Sequence, residues 1–305
     1  MKRLPIHPQP LPHEALTSWI RRMAELYDLD AMTFMERAFN CKYTYASEMD
    51  FDICAPQELI MALSKRTTVP VGKIRAMTIE GYAPLLIDTT LPAEGLFKAY
   101  ISQFPTLAPI RNKFPKLLFS LDEMSWLPWV SPYFKDQSCT ECIDLDPVPY
   151  RRIYWRLSWM VCCPLHGQML EDSSPPRQAS EAIIALDHLT LKAVSSGKVI
   201  LHDGRTIHAA VWLRSLRTLI DELTRPISTL GQARLTIEKI WQSADRSRYM
   251  GSRKFLVFEY MGSKEREHIM QVVAETVEKL LEGAISPSFK IALKKGEQQF
   301  FLPYR

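Results

Sequence analysis

The sequence predicts a mainly α-helical chain, broken at its centre by a short irregular segment that carries chelating residues. Two observations support this. Apolar residues recur at three- and four-residue steps through the first 80 residues and again after residue 180, the period of a helix with one buried face. Between these regions, two short pairs of cysteine and histidine sit in a stretch dense in proline and aromatic residues. Proline at that density excludes a long helix.

In chain order, Leu16, Trp19, Ile20, Met23, Leu26 and Tyr27 share one face of a helix expected over residues 13–27. Asp28-Leu29-Asp30 breaks it, and Asp30 is placed to cap a short helix running to Phe39. A second pair follows. Pro56 suits a first helical turn, and Leu59, Ile60 and Leu63 form the apolar stripe. Thr67-Thr68-Val69-Pro70 then makes a turn, and Ile74 and Met77 mark another helix. These pairs are helix–turn–helix-like units or ordinary helical hairpins, and periodicity alone leaves both open.

From Phe104 to Phe134, prolines alternate with Phe114, Phe119, Trp126, Trp129 and Tyr133, which predicts an ordered but irregular segment. Beyond residue 180, Val211, Trp212, Leu216, Leu219, Ile220 and Leu223 make one helical stripe, ended by Pro226. Ile269, Met270, Val273, Val277, Leu280 and Leu281 make another, ended near Gly283. Lys198–His202 and Phe255–Tyr260 are candidate strands. The expected domains are a helical, helix–turn–helix-like one at 1–103, a Pro/aromatic and zinc-finger one at 104–180, and a mainly helical one at 181–305.

Zinc is named for the central domain because of Cys139-Thr-Glu-Cys142 and, twenty residues on, Cys163-Pro-Leu-His166. Each pair can aim two donors at one ion from a single turn, and thiolate and imidazole are the preferred ligands of structural zinc. Cys162 competes with Cys163. The two-residue spacing to His166 favours Cys163, as does a shared face with Trp155, Leu157, Trp159 and Val161 if residues 153–163 form a strand. Four protein ligands close the shell, whereas a catalytic zinc keeps a position open for water.

Other enzymatic signals are missing. No Gly-x-x-x-x-Gly-Lys-Ser/Thr loop, Gly-x-Ser-x-Gly elbow or His-Glu-x-x-His helix occurs, so a non-catalytic protein is expected.

The net charge is only +4, from 38 Lys and Arg against 34 Asp and Glu. That excludes a histone-like, purely electrostatic DNA binder. Any nucleic-acid contact must be local or shared with a partner. Candidate contact residues are Arg151, Arg152 and Arg156, interleaved with Tyr150, Tyr154, Trp155 and Trp159, where arginine can meet phosphate and rings can meet bases. The alternative is that the rings build the core of the zinc segment, and Trp155 and Trp159 are read that way. Arg21, Arg22, Lys65 and Arg66, with Lys73 and Arg75, either line the N-terminal units as contacts or simply solvate them.

Prolines 5, 8, 10 and 12 follow Met1-Lys2-Arg3 where a signal peptide needs an apolar helix. No apolar run approaches the about 20 residues of a membrane span. A cytoplasmic location is expected, where cysteines serve metal or redox chemistry more than disulfides.

Taken in order, these residues resemble the TniQ family, which includes the target-selection proteins called TnsD. Pro10-Leu-Pro-His-Glu14-Ala-Leu16-Thr-Ser18-Trp19-Ile-Arg21-Arg22 is similar to the family's opening. Cys139-x-x-Cys142, Tyr150-Arg151-Arg152, Trp155-Arg156-Leu157 and Cys163-Pro-Leu-His166-Gly167 through Leu170 resemble its zinc-finger signature. Where relatives often carry a further Cys-Pro-x-Cys, this chain reads Ser173-Ser-Pro-Pro176, so one zinc per chain is expected.

The resemblance implies a transposition accessory protein. It would link target recognition, by an RNA-guided complex or a DNA-binding protein, to a transposon AAA+ ATPase (TnsC-like) and its transposase. DNA would be met within that complex, and homodimerisation stays open. The alternative from a different class is a stand-alone zinc-containing helix–turn–helix DNA-binding regulator.

Overall fold

The computed structural model describes residues 3–41, 50–82, 130, 137–170, 175–201, 204–224, 234–244 and 258–282. Nearly all of the Pro/aromatic stretch from Phe104 to Phe134 lies outside them. Two compact units emerge, and they do not follow chain order. One comprises Met1–Ala83 with Thr140–Arg156, the other Pro84–Cys139 with Leu157–Arg305. The boundary expected at residue 103 lies outside the described residues. The division at 139/140 falls within the first chelating pair.

The first unit opens with α1 (Leu16–Glu25) and α2 (Ala31–Phe39), and then α3 (Gln57–Thr67) and α4 (Val71–Arg75). Local chemistry sets their ends. Asp30 caps α2 as its sequence position suggests, Oδ1 accepting from Thr33 N at 2.9 Å. Asp28, Asn40 and Thr68 adopt left-handed backbone with φ of 55°, 52° and 61° and stop the three longer helices nearby. The cap of α1 could not be read locally. Its N-cap residue is Ala15, whose side chain offers no acceptor. Asp52, 35 residues beyond Thr17, accepts from both Thr17 N at 2.8 Å and Thr17 Oγ1 at 2.7 Å.

The inward faces of these helices form one core of Leu16, Trp19, Ile20, Met23, Phe34, Met35, Leu59, Ile60, Leu63 and Ile74. Burial of such side chains contributes roughly 1.5–3 kcal/mol each.

The same unit includes α5 (Thr140–Leu145) and a 3-10 turn at Ile153–Arg156. That turn corrects the expected strand over 153–163. Ile153 N donates to His13 O at 2.7 Å, and Arg152 forms a bridge with Glu14. The backbone groups that a hairpin would have used are taken by the N-terminal segment, and the chain turns there.

The second unit is built on α6 (Glu181–Ser196), α7 (Ala209–Thr224), α8 (Arg234–Ser243) and α9 (Ser263–Glu282). Ser180 caps α6 through Ile183 N, and Gly197, at φ 72°, ends it. The strand expected at Lys198–His202 exists as β1 (Lys198–Ile200). It pairs antiparallel with β2 (Thr206–His208), which alternation over so short a run could not reveal. The other expected strand is a 3-10 turn over its described part, Phe258–Tyr260. Every residue of α7 from Ala209 to Leu223 is buried. This includes Arg217, which pairs with the equally buried Glu259 at 2.8 Å.

Candidate metal centre and the N-terminal motif

Cys139 immediately precedes α5 and Cys142 lies in its first turn, so helical spacing turns both sulfurs the same way. The second pair sits on a tight knuckle. Cys163 N donates to Gln168 O and Gly167 N donates to Cys163 O, both at 2.7 Å. Gly167 has φ 70°, and an added Cβ would meet the Ile184 side chain at 2.7 Å, so the knuckle requires glycine.

The donor atoms of Cys139, Cys142, Cys163 and His166 all lie within 4.8 Å of one another. His166 Nδ1 is 3.5 Å from Cys139 Sγ and 3.9 Å from Cys163 Sγ. Metal bonds of about 2.0 Å to nitrogen and 2.3 Å to sulfur give tetrahedral donor separations of about 3.5–3.8 Å. The group could therefore hold a metal ion, and its soft, nitrogen-and-sulfur donor set is consistent with zinc. The three cysteines are buried and His166 is half-buried, with Gln168 Oε1 accepting from the Cys139 thiol at 3.2 Å.

Cys162 stands outside this group. Its backbone N donates to Asp187 Oδ2 at 3.0 Å, and burial drives its thiol strongly upward, which suits a protonated side chain. Neither Cys41 nor Cys54 joins a donor cluster among the described residues.

Burial raises the Asp187 carboxyl to about 7 from 3.8, partly opposed by bonds from Cys162 and Val161. The folded protein thus keeps a proton that the unfolded chain has released. This group favours folding below about pH 4 and loses that contribution as pH rises to about 7. Asp187→Asn should remove the penalty. In urea unfolding, the variant should gain on the wild type between pH 5 and pH 8. An unchanged difference would show that Asp187 is ionised without cost.

The opening motif is explained by contacts inside the first unit. Glu14 is 0% exposed, and its Oε1 lies 2.7 Å from Arg22 Nε. The Glu14 carboxylate also accepts from Leu11 N at 2.9 Å and Ser18 Oγ at 3.4 Å. Arg22 Nη2 donates to Gln9 O, and Trp19 Nε1 donates to Pro8 O at 2.8 Å. The same residues reach residues far along the chain. Ala15 N donates to Arg151 O at 2.8 Å, and Arg151 N donates to Ser18 Oγ at 3.0 Å. Segments more than 130 residues apart in sequence therefore share one hydrogen-bonded frame.

That frame corrects the reading of two arginines. Arg152, 6% exposed, packs its guanidinium 4.5 Å from the Tyr150 ring centre and 5.1 Å from that of Trp155, and pairs with Asp146 at 3.0 Å. Arg156, 7% exposed, pairs with Asp50 at 2.7 Å and lies 3.6 Å from Asp52. The interleaving of arginine and aromatic residues here makes a cation–π and ion-pair core, not an outer surface. Trp155 and Trp159 are fully buried, as read from the sequence.

Of the remaining basic candidates, Arg22 is held by Glu14, and Arg66 lies over the Phe39 ring and bonds Ala38 O. Arg151 is half-buried, while Arg21, Lys65, Lys73 and Arg75 are exposed.

The model of the TniQ family matches residues 5–170, more than half of the chain. The protein belongs to the TniQ family. No curated protein matches it. No solved structure matches it either. The matched TniQ segment takes in both the Glu14–Arg22 frame and the four metal donors. Membership makes the chain a transposition-associated accessory protein. Among the described residues, no helix is long and apolar enough to cross a membrane.

Proposed function

We propose that the protein is a non-catalytic adaptor of a multi-component transposon. It would link target-site recognition, by an RNA-guided complex or a DNA-binding protein, to the transposon AAA+ ATPase and through it to the transposase. The TniQ match over residues 5–170 carries this reading. Support comes from the chemistry of the site. A closed set of three cysteines and one histidine has no vacant position for substrate water. One zinc per chain would tie the chelating pairs together, and its role there is structural. Exposed basic residues in the first unit, among them Arg21, Lys65 and Lys73, are available to meet DNA or a partner.

The exposed Lys65, Lys73 and Arg75 on α3 and α4 favour a second reading, a DNA-binding regulator that acts alone. The two readings separate in one pair of measurements. An adaptor with net charge +4 should bind DNA weakly, with affinity falling steeply as salt rises, and should show activity only in a reconstituted transposition assay with ATPase and target-recognition component. Nanomolar binding to a single DNA sequence at physiological salt, with no partner present, would establish the regulator instead.

A further inference from the structure

We propose that a groove along α1 and α2 is the docking site for a segment of a partner protein that offers an apolar anchor side chain beside a carboxylate. The groove encloses about 390 Å³ and is walled by Ile20, Ala31, Met32, Met35 and Phe51. That volume is in the range of pockets that seat a ligand. Two methionines make its wall adaptable, as surfaces that accept varied apolar side chains are.

The polar groups around the groove define the rest of the ligand. Thr17 Oγ1 already donates to Asp52, and the Asp30 carboxylate is engaged by Thr33 N and Oγ1. Both are already hydrogen-bonded within the chain. Arg21 also lines the groove, is exposed, and makes no hydrogen bond or ion pair among the described residues. Its neighbour Arg22 is locked onto Glu14. Among the described residues, one arginine of the Arg21-Arg22 pair is committed to an ion pair and the other stands exposed beside an apolar slot without one. A carboxylate is the group an arginine's planar fork meets bidentately, and an apolar side chain next to it fills the slot. The inference rests on the adaptor reading only for whose segment docks.

The test uses the full zinc-loaded chain and a random peptide display library. Arg21→Glu and Met32→Glu serve as variants, since Arg21 is exposed, Met32 is half-buried, and both substitutions can be checked by zinc content and thermal melting. Wild-type protein should enrich peptides with a Leu, Met or aromatic residue next to Asp or Glu. Those peptides should bind each variant about tenfold more weakly or worse. No enriched consensus, or a consensus that both variants bind as well as wild type, overturns the proposal. Loss of binding to a random-sequence DNA duplex on Arg21→Glu, with no peptide enriched, assigns the arginine to phosphate and also overturns it.

Capture of the transposon ATPase is measured in parallel. Capture kept by both variants, with no peptide enriched, removes the groove and leaves the adaptor standing. Peptide selection without any ATPase capture removes the adaptor and leaves the groove.

Discussion

Protein carrying Cys163→Ser is expected to purify without bound zinc and to aggregate, whereas Cys162→Ser should keep close to one zinc per chain. The two cysteines are neighbours in sequence and both are buried, so bulk and hydrophobicity do not distinguish them. Position does. Cys163 Sγ lies 3.9 Å from His166 Nδ1 within the donor group, while Cys162 is turned to Asp187. Structural zinc sites release about 10–16 kcal/mol on binding at neutral pH, and in small domains much of that is folding free energy. Losing one of four ligands should therefore be among the most damaging single changes available to this chain. Elemental analysis checks the metal, and tryptophan fluorescence checks the fold, because Trp155 and Trp159 are fully buried. Two zinc ions per chain, or loss of zinc only with Cys162→Ser, would refute the assignment. A soluble Cys139→Ser protein with unchanged fluorescence would show that the metal is peripheral to stability.

The second large effect is expected at a residue with no metal chemistry. Glu14→Ala should destabilise the zinc-loaded protein by about 3–5 kcal/mol, the usual consequence of stripping one partner from a buried ion pair. Glu14 is wholly inaccessible, and its removal leaves Arg22 with only the Gln9 carbonyl from the present set of partners. Leu11 N and Ser18 Oγ lose an acceptor at the same time. Urea unfolding at constant zinc gives the comparison. The Glu14→Ala/Arg22→Ala double variant should lose less than the sum of the two single variants, because the single changes each strand a charge. A loss below about 1 kcal/mol would mean that the pair behaves as an exposed one.

Some of this was present in the sequence. Residue spacing was enough for α1, α3 and the two long helices Ala209–Thr224 and Ser263–Glu282, because an amphipathic helix repeats its buried face every few residues, while α2 was read from its Asp30 cap. Asp30 as a cap and the Cys-x-x-Cys and Cys-x-x-His pairs were legible for the same reason. Each depends on a donor and acceptor, or two ligands, a few residues apart in one turn.

Other features depended on distance through space. The cap that Asp52 supplies to α1, the bridge from Glu14 to Arg152 and the ion pairs that bury Arg156 join positions 35 to more than 100 residues apart. Tyr150-Arg-Arg-Ile-Tyr-Trp-Arg156 has the composition of a nucleic-acid contact or of a cation–π core, and periodicity does not distinguish them. Arg152 and Arg156 went inward because Asp146, Asp50 and Asp52 were there to receive them. Arg21 stays exposed, while the neighbouring Arg22 pairs with the buried Glu14 carboxylate. Local sequence determined which side chains could chelate, cap or carry charge. Tertiary packing decided which of those charges found a partner inside and which were left for other molecules.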